Sequence, residues 1–161
     1  MHRTARSRKA LLAGGLLLNL LLTFLDVQAV RAEEISSYAF VQDDGSLRVS
    51  GRTIRLFGIH IPSTTQACRR FERPVVCAPQ AALALDFKIG ADFVHCTPKS
   101  RNDDGSITAL CRAGGHDLSA YLLERGWALA LPDAPFEYAA LEKIASRKGV
   151  GVWGFSVEKR R

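Results

Sequence analysis

Four aspartates fall in two polar turns: Asp43 and Asp44 ahead of Gly45 and Ser46, and Asp103 and Asp104 ahead of Gly105 and Ser106. Carboxylate oxygens are what a hard divalent cation takes as ligands, so these four could hold one weakly. Asp-Asp-Gly is also ordinary turn chemistry, because Asp bonds its own backbone two residues on and Gly accepts a positive φ. The turn reading is the one adopted. Arg55 lies on the alternating segment 53–59, where its fork of donors suits a phosphate, a carboxylate or a neighbouring acid. His60 ends that segment; by type it is an acid, base or ligand, although a single histidine at a strand end is more often structural.

The second set of reactive side chains is Cys68, Cys77, Cys96 and Cys111. No two have Cys-x-x-Cys spacing, and on a strand His95 would point away from the face that carries Cys96, so a zinc site is set aside. An even number in an oxidising compartment suggests two disulfides, for which three pairings exist. The preferred pairing is Cys68–Cys77, closing a short loop rich in Arg and Pro, with Cys96–Cys111 joining two predicted neighbouring strands.

The N-terminus argues for that compartment. Arg3, Arg6, Arg8 and Lys9 precede a 16-residue apolar run at 10–25, interrupted by Asn19, and Val30-Arg31-Ala32 has the small residues that a signal peptidase needs. Residues 1–32 therefore read as a secretory signal peptide, and 33–161 as one periplasmic or secreted domain with no stable membrane insertion after cleavage. An uncleaved anchor is the alternative, but the run is short for a span of about 20 residues. The signal also accounts for most of the net charge of +6: residues 33–161 hold 17 basic against 15 acidic residues, and without Lys159, Arg160 and Arg161 the balance is 14 against 15. A near-neutral body does not favour nucleic acid as a partner. The total of 161 residues, 47% of them apolar, suits one globular domain.

These residues need elements to position them. Strand-like runs at 37–42 and 47–50 flank the turn at 43–45, and a third strand covers 53–59. Residues 61–79, with Pro62, Pro74 and Pro79, read as irregular. A helix over 80–89 ends at Gly90, and strands at 93–96 and 107–112 flank a polar loop at 99–106. Asp117 can cap a helix over 118–125 that stops at Gly126. A last helix fits 136–148, with Tyr138, Leu141 and Ile144 facing inward, and ends at Gly149. No internal repeat or linker is visible. The order suits an α+β fold: a five-stranded OB-fold (Greek-key) barrel with about three packed helices.

Gly51-Arg52-Thr53-Ile54-Arg55-Leu56-Phe57-Gly58-Ile59, followed by Pro62 and Gln66-Ala67-Cys68, resembles the thermonuclease (staphylococcal-nuclease-like) family. So do Gln80-Ala81-Ala82, Ala109-Leu110-Cys111, Asp117-Leu118, Leu123 with Gly126-Trp127-Ala128, Tyr138 with Glu142, and the closing stretch from Gly149 to Trp153. The resemblance covers about 38–155 and implies an OB-fold that in active members is a calcium-dependent phosphodiesterase. Laid on that family's motifs, Gly45 stands at a metal-binding Asp, His60 and Ser63 at the Asp and Glu of Asp-x-Pro-Glu, and Ser106 at the arginine of Tyr-Gly-Arg. Only Arg55 is kept. Loss of one transition-state donor costs on the order of 10²–10³ in rate. The resemblance therefore implies a non-catalytic member without a cofactor; the alternative is a secreted calcium-dependent nuclease with rearranged ligands. The chain is also similar to exported, cysteine-bearing nuclease-like proteins of rhizobia, some associated with biosynthesis of succinoglycan, an acidic exopolysaccharide. That implies an accessory or binding role, with an acidic polysaccharide or an exported protein as partner. The loop Arg69-Arg70-Phe71-Glu72-Arg73 could meet such a polymer, although a solvated charge run is its plainer reading.

Overall fold

The barrel is closed by one bent strand. β1 (Ile35–Ser37) pairs with β8 (Val94–Arg101), with Ile35 opposite Cys96, and β2 (Ala39–Val41) pairs with β3 (Leu47–Val49), with Ala39 opposite Val49. The sheet runs β1-β8-β9-β4-β3-β2, where β4 is Arg52–Leu56 and β9 is Ile107–Ala113. Its two edges are halves of one run bent at Tyr38, so the edges meet, and counting that run as one strand leaves five. β4 and β9 pair in parallel, Ile54 opposite Ile107, and the remaining neighbours are antiparallel. The α+β expectation of a five-stranded OB-fold-like barrel with three packed helices holds. The computed structural model describes residues 33–62, 69–70, 73–74 and 77–154. Ser63, Cys68, the segment 1–32 and the Cys68–Cys77 pairing lie outside those residues.

Alternation fills the interior. Leu47, Val49, Ile54, Val94, Cys96, Ala109 and Cys111 are fully buried, and their strand neighbours point outward. Cys96 and Cys111 face each other across β8 and β9 with Cα atoms 4.1 Å apart and form the expected disulfide inside the barrel. His95, between Val94 and Cys96, is exposed on the outer face, where Nδ1 lies 3.0 Å from Ser36 Oγ. β8 is longer than its apolar pattern predicts. Lys99, Ser100 and Arg101, read as loop, continue the ladder past a bulge between Pro98 and Ser100. Lys99 is the bulge, and Ser100 and Arg101 are paired in the backbone while their side chains are solvated, so polarity misplaces the boundary.

The strand expected over 53–59 is broken at Phe57-Gly58 and resumes as β5 (Ile59–His60), which pairs with β11 (Leu129–Ala130). Within the stretch read as irregular, β6 (Arg69–Arg70) pairs with β7 (Arg73–Pro74). Helix α1 (Cys77–Ile89) starts three residues before the expected Gln80, with Pro79 in the first turn, where a missing N–H is tolerated. Its residues Ala81, Leu85 and Ile89 are buried.

α2 (Leu118–Glu124) follows β10 (His116–Asp117) and is capped as expected: Asp117 Oδ1 accepts from the amides of Ser119 and Ala120 at 2.8 and 3.2 Å. α3 (Phe136–Lys148) has the predicted limits and ends at Gly149, whose φ of 63° is left-handed. Its inward face is corrected. Tyr138 and Ala145 are buried, whereas Ile144 is 46% exposed. Seven residues make almost two full turns, so the stripe runs 138, 141, 145 and leaves position 144 on the outer flank. Among the described residues no helix is long and apolar enough to cross a membrane.

Candidate functional site

The two aspartate turns are copies of one device. Gln42-Asp43-Asp44-Gly45-Ser46 joins β2 to β3, and Asn102-Asp103-Asp104-Gly105-Ser106 joins β8 to β9. In the first, the Gln42 amide donates to the Ser46 carbonyl at 2.8 Å; in the second, Asn102 donates to Ser106 at 2.9 Å. The second aspartate of each copy accepts from the serine amide, Asp44 at 2.9 Å and Asp104 at 3.0 Å, and from the serine hydroxyl at 2.6 Å. Gly45 and Gly105 share a φ of 78°. The sequence therefore does contain a short repeat, and the signal overlooked was the amide residue ahead of each Asp-Asp-Gly-Ser. Asx-turn chemistry accounts for both copies.

Arg55, on the outer face of β4, is claimed by the second copy. Its Nη2 donates to Asp104 Oδ2 at 2.9 Å and its Nε to Ser106 Oγ at 3.1 Å. Ser106 is 4% exposed; its hydroxyl also accepts from Asn102 Nδ2 at 2.8 Å and donates to Asp104, so it is saturated. The Ser106 hydroxyl and amide first, then the Arg55 guanidinium, hold the Asp104 carboxyl down to about 2. Asp44 makes no hydrogen bond to Arg55. Partial burial raises its pKa, but the Ser46 hydroxyl and amide and the field of Arg55 prevail and hold it below the ordinary value.

Arg55 also borders a cleft of about 200 Å³ with Asp44, Gly45, Ser46, Leu56, Ile59, His60 and Ile61. Three positions singled out by the resemblance, Gly45, Arg55 and His60, thus meet in one place. Ser106 lies beneath the guanidinium, not in the cleft. Gly45 is buried, and a Cβ built on it would run into Ile61 Cδ1. A side chain at position 45 would need the Ile61 δ-methyl to turn aside and would sit at positive φ, so the position where the resemblance expects an aspartate is disfavoured by packing as well as being a glycine. Among the described residues Asp44 is the single carboxylate of the cleft, Asp104 is engaged by Arg55, and an imidazole is a poor ligand for a hard cation. This described donor set does not fit calcium. Among the described residues no group of three or more His, Cys, Asp or Glu side chains could hold a metal ion.

Two further residues of the resemblance are anchors. Tyr138 Oη donates to Asp117 Oδ2 at 2.6 Å, tying α3 to the capped end of α2. Glu142, one turn on, accepts from the Ala130 amide at 2.8 Å and holds β11.

Fold and site together define an OB-fold-like barrel with three packed helices whose cleft arginine, Arg55, is bonded to the carboxylate of Asp104. No family model matches the chain. It is similar to the succinoglycan biosynthesis protein ExoI of Rhizobium meliloti (strain 1021), with 30% identity over 145 residues that cover 87% of this chain and 74% of that protein. The chain belongs to that protein's family.

Proposed function

We propose that this chain is an exported, non-catalytic protein on a nuclease-like barrel that serves as an accessory or binding factor in exopolysaccharide biosynthesis, succinoglycan being the product named for its relative. The observation that carries the non-catalytic reading is the Arg55–Asp104 contact beside a Gly45 that offers no side-chain ligand. A guanidinium already bonded to a carboxylate is a weak stabiliser of a developing phosphorane, and among the described residues the cleft has no carboxylate pair to hold a cation or activate water. Under this reading residues 1–32 are a signal peptide and 33–161 the mature domain, working in the periplasm or outside the cell on an acidic polysaccharide or an exported protein. The Cys96–Cys111 disulfide supports an oxidising location.

The test pairs two measurements. Purified 33–161 is assayed for cleavage of single-stranded DNA and RNA with and without calcium, beside an Arg55→Ala variant that excludes a contaminant. A deletion strain is scored for exopolysaccharide yield after complementation with each form. No cleavage, and equal complementation by both forms, is the expected result. Calcium-dependent cleavage that vanishes in Arg55→Ala would instead establish the nuclease.

A further inference from the structure

A second cleft, of about 430 Å³, shares no lining residue with the first; its walls are Gly51, Arg52, Thr53, Arg101, Asp104, Gly105, Ser106 and Ile107. The two arginines converge through strand register. Arg101 is opposite Ile107 at the end of β8, and Ile107 is opposite Ile54 two residues beyond Arg52. Between β3 and β4 only Ser50 and Gly51 turn the chain, both at positive φ (49° and 75°), which is the tight hairpin geometry that places Arg52 at the rim.

The charge of this cleft is unbalanced. Arg52 and Arg101 are exposed, and among the described residues neither forms an ion pair or a side-chain hydrogen bond. Asp104 is the one acid in the lining, and its carboxylate already answers Arg55 and Ser106. Gly51 and Gly105 leave open space where a side chain would stand, with nothing within 4 Å of a Cβ built there. Two forked cations beside two bare backbone segments match the requirements for gripping a planar or tetrahedral anion. The volume falls in the range of roughly 300–1,000 Å³ typical of ligand pockets. We infer that the Arg52–Arg101 cleft binds an anionic group, a carboxylate or a phosphate, carried by a larger ligand. Asp104 and Ser106 in its wall are the partners of Arg55, but the proposal does not depend on the catalytic status argued from the Arg55 cleft.

The experiment is a titration of 15N-labelled 33–161 with inorganic phosphate and, separately, glucuronate, with sodium chloride at matched ionic strength as the reference. Saturable shifts of the Gly51, Thr53 and Gly105 amides with either anion are expected. An Arg52→Ala/Arg101→Ala pair should weaken affinity by about tenfold or more, and His60→Ala, which touches only the other cleft, should leave it unchanged. Should the alanine pair not fold, Arg52→Gln/Arg101→Gln replaces it. Response to phosphate alone assigns a phosphate, and response to glucuronate alone a carboxylate. Shifts no larger than those of chloride at roughly 0.1 M anion, where screening dominates, overturn the site, as do saturable shifts that survive in a folded double variant.

Discussion

Arg55 Nη2 lies 2.9 Å from Asp104 Oδ2, across 49 residues of sequence, with the two side chains 54% and 52% exposed. Such an exposed, solvent-screened pair contributes little to stability. Its consequence is chemical: the guanidinium meets solvent already carrying a carboxylate, and the Ser106 hydroxyl below fixes its orientation.

The Asp104 carboxyl should titrate at about 2 in the intact protein. The folded value lies below the unfolded value of about 3.9, so its contribution is present above roughly pH 4 and is lost as pH falls through 2. Because Ser106 is the leading cause, Ser106→Ala should raise the value more than Arg55→Ala does. Carbon-detected NMR of the carboxyl resonance measures all three; an ordinary value in the unaltered protein would remove the contact.

Gly45 and Gly105 have the same φ of 78°, but a Cβ built on the first meets Ile61, and one built on the second has nothing within 4 Å. Gly105→Ala should cost about 1 kcal/mol, the left-handed strain alone. Gly45→Ala should cost more, by whatever turning the Ile61 side chain aside requires, and Gly45→Asp should gain no calcium-dependent cleavage. Urea unfolding of the three variants decides it, and equal costs at positions 45 and 105 would contradict the packing argument.

The Cys96–Cys111 bridge spans 15 residues between fully buried sulfurs. Loop-closure entropy puts its contribution at about 3 kcal/mol. A Cys96→Ala/Cys111→Ala variant should lose that amount or somewhat more, since two core side chains are also trimmed. Mild reductant on the native protein should leave the bridge intact while strong denaturant exposes it, as alkylation and mass mapping would show.

Tyr138→Phe removes one hydrogen bond and should cost about 1 kcal/mol. Asp117→Ala removes the α2 cap and orphans the same hydroxyl, so it should cost about 2 kcal/mol or more. The double variant should fall short of the sum by at least about 0.5 kcal/mol, because one contact is lost twice. Burial first, then the bond to Asp117 and its charge, raise the Tyr138 pKa well above that of a free phenol. The contribution is therefore complete below pH about 10 and is lost at higher pH.

Several features were legible in the chain itself. The limits of α3 follow from apolar spacing and a left-handed glycine stop, the Asp117 cap from a residue type beside an apolar run, and the Cys96–Cys111 pair from two neighbouring strands. Each is set by contacts within a turn or between adjacent segments, where residue type and spacing nearly determine geometry. The resemblance also placed Gly45, Arg55 and His60 in one neighbourhood, and the cleft assembles them.

Other features depend on residues far apart in the chain. Only closure of the barrel shows that the run expected at 37–42 begins two residues earlier and must bend at Tyr38, because one segment has to pair with both β8 and β3. Polarity ended β8 at Cys96, yet backbone pairing with β9 carries it to Arg101. Ile61 seals Gly45, Asp104 holds Arg55, and Arg52 approaches Arg101 because parallel and antiparallel ladders meet at Ile107. Residue types and local periodicity thus determined the elements and the chemistry available at each end. The tertiary structure decided which charges are paired and which face solvent, since Coulombic and steric contacts act through space and take no account of distance along the chain.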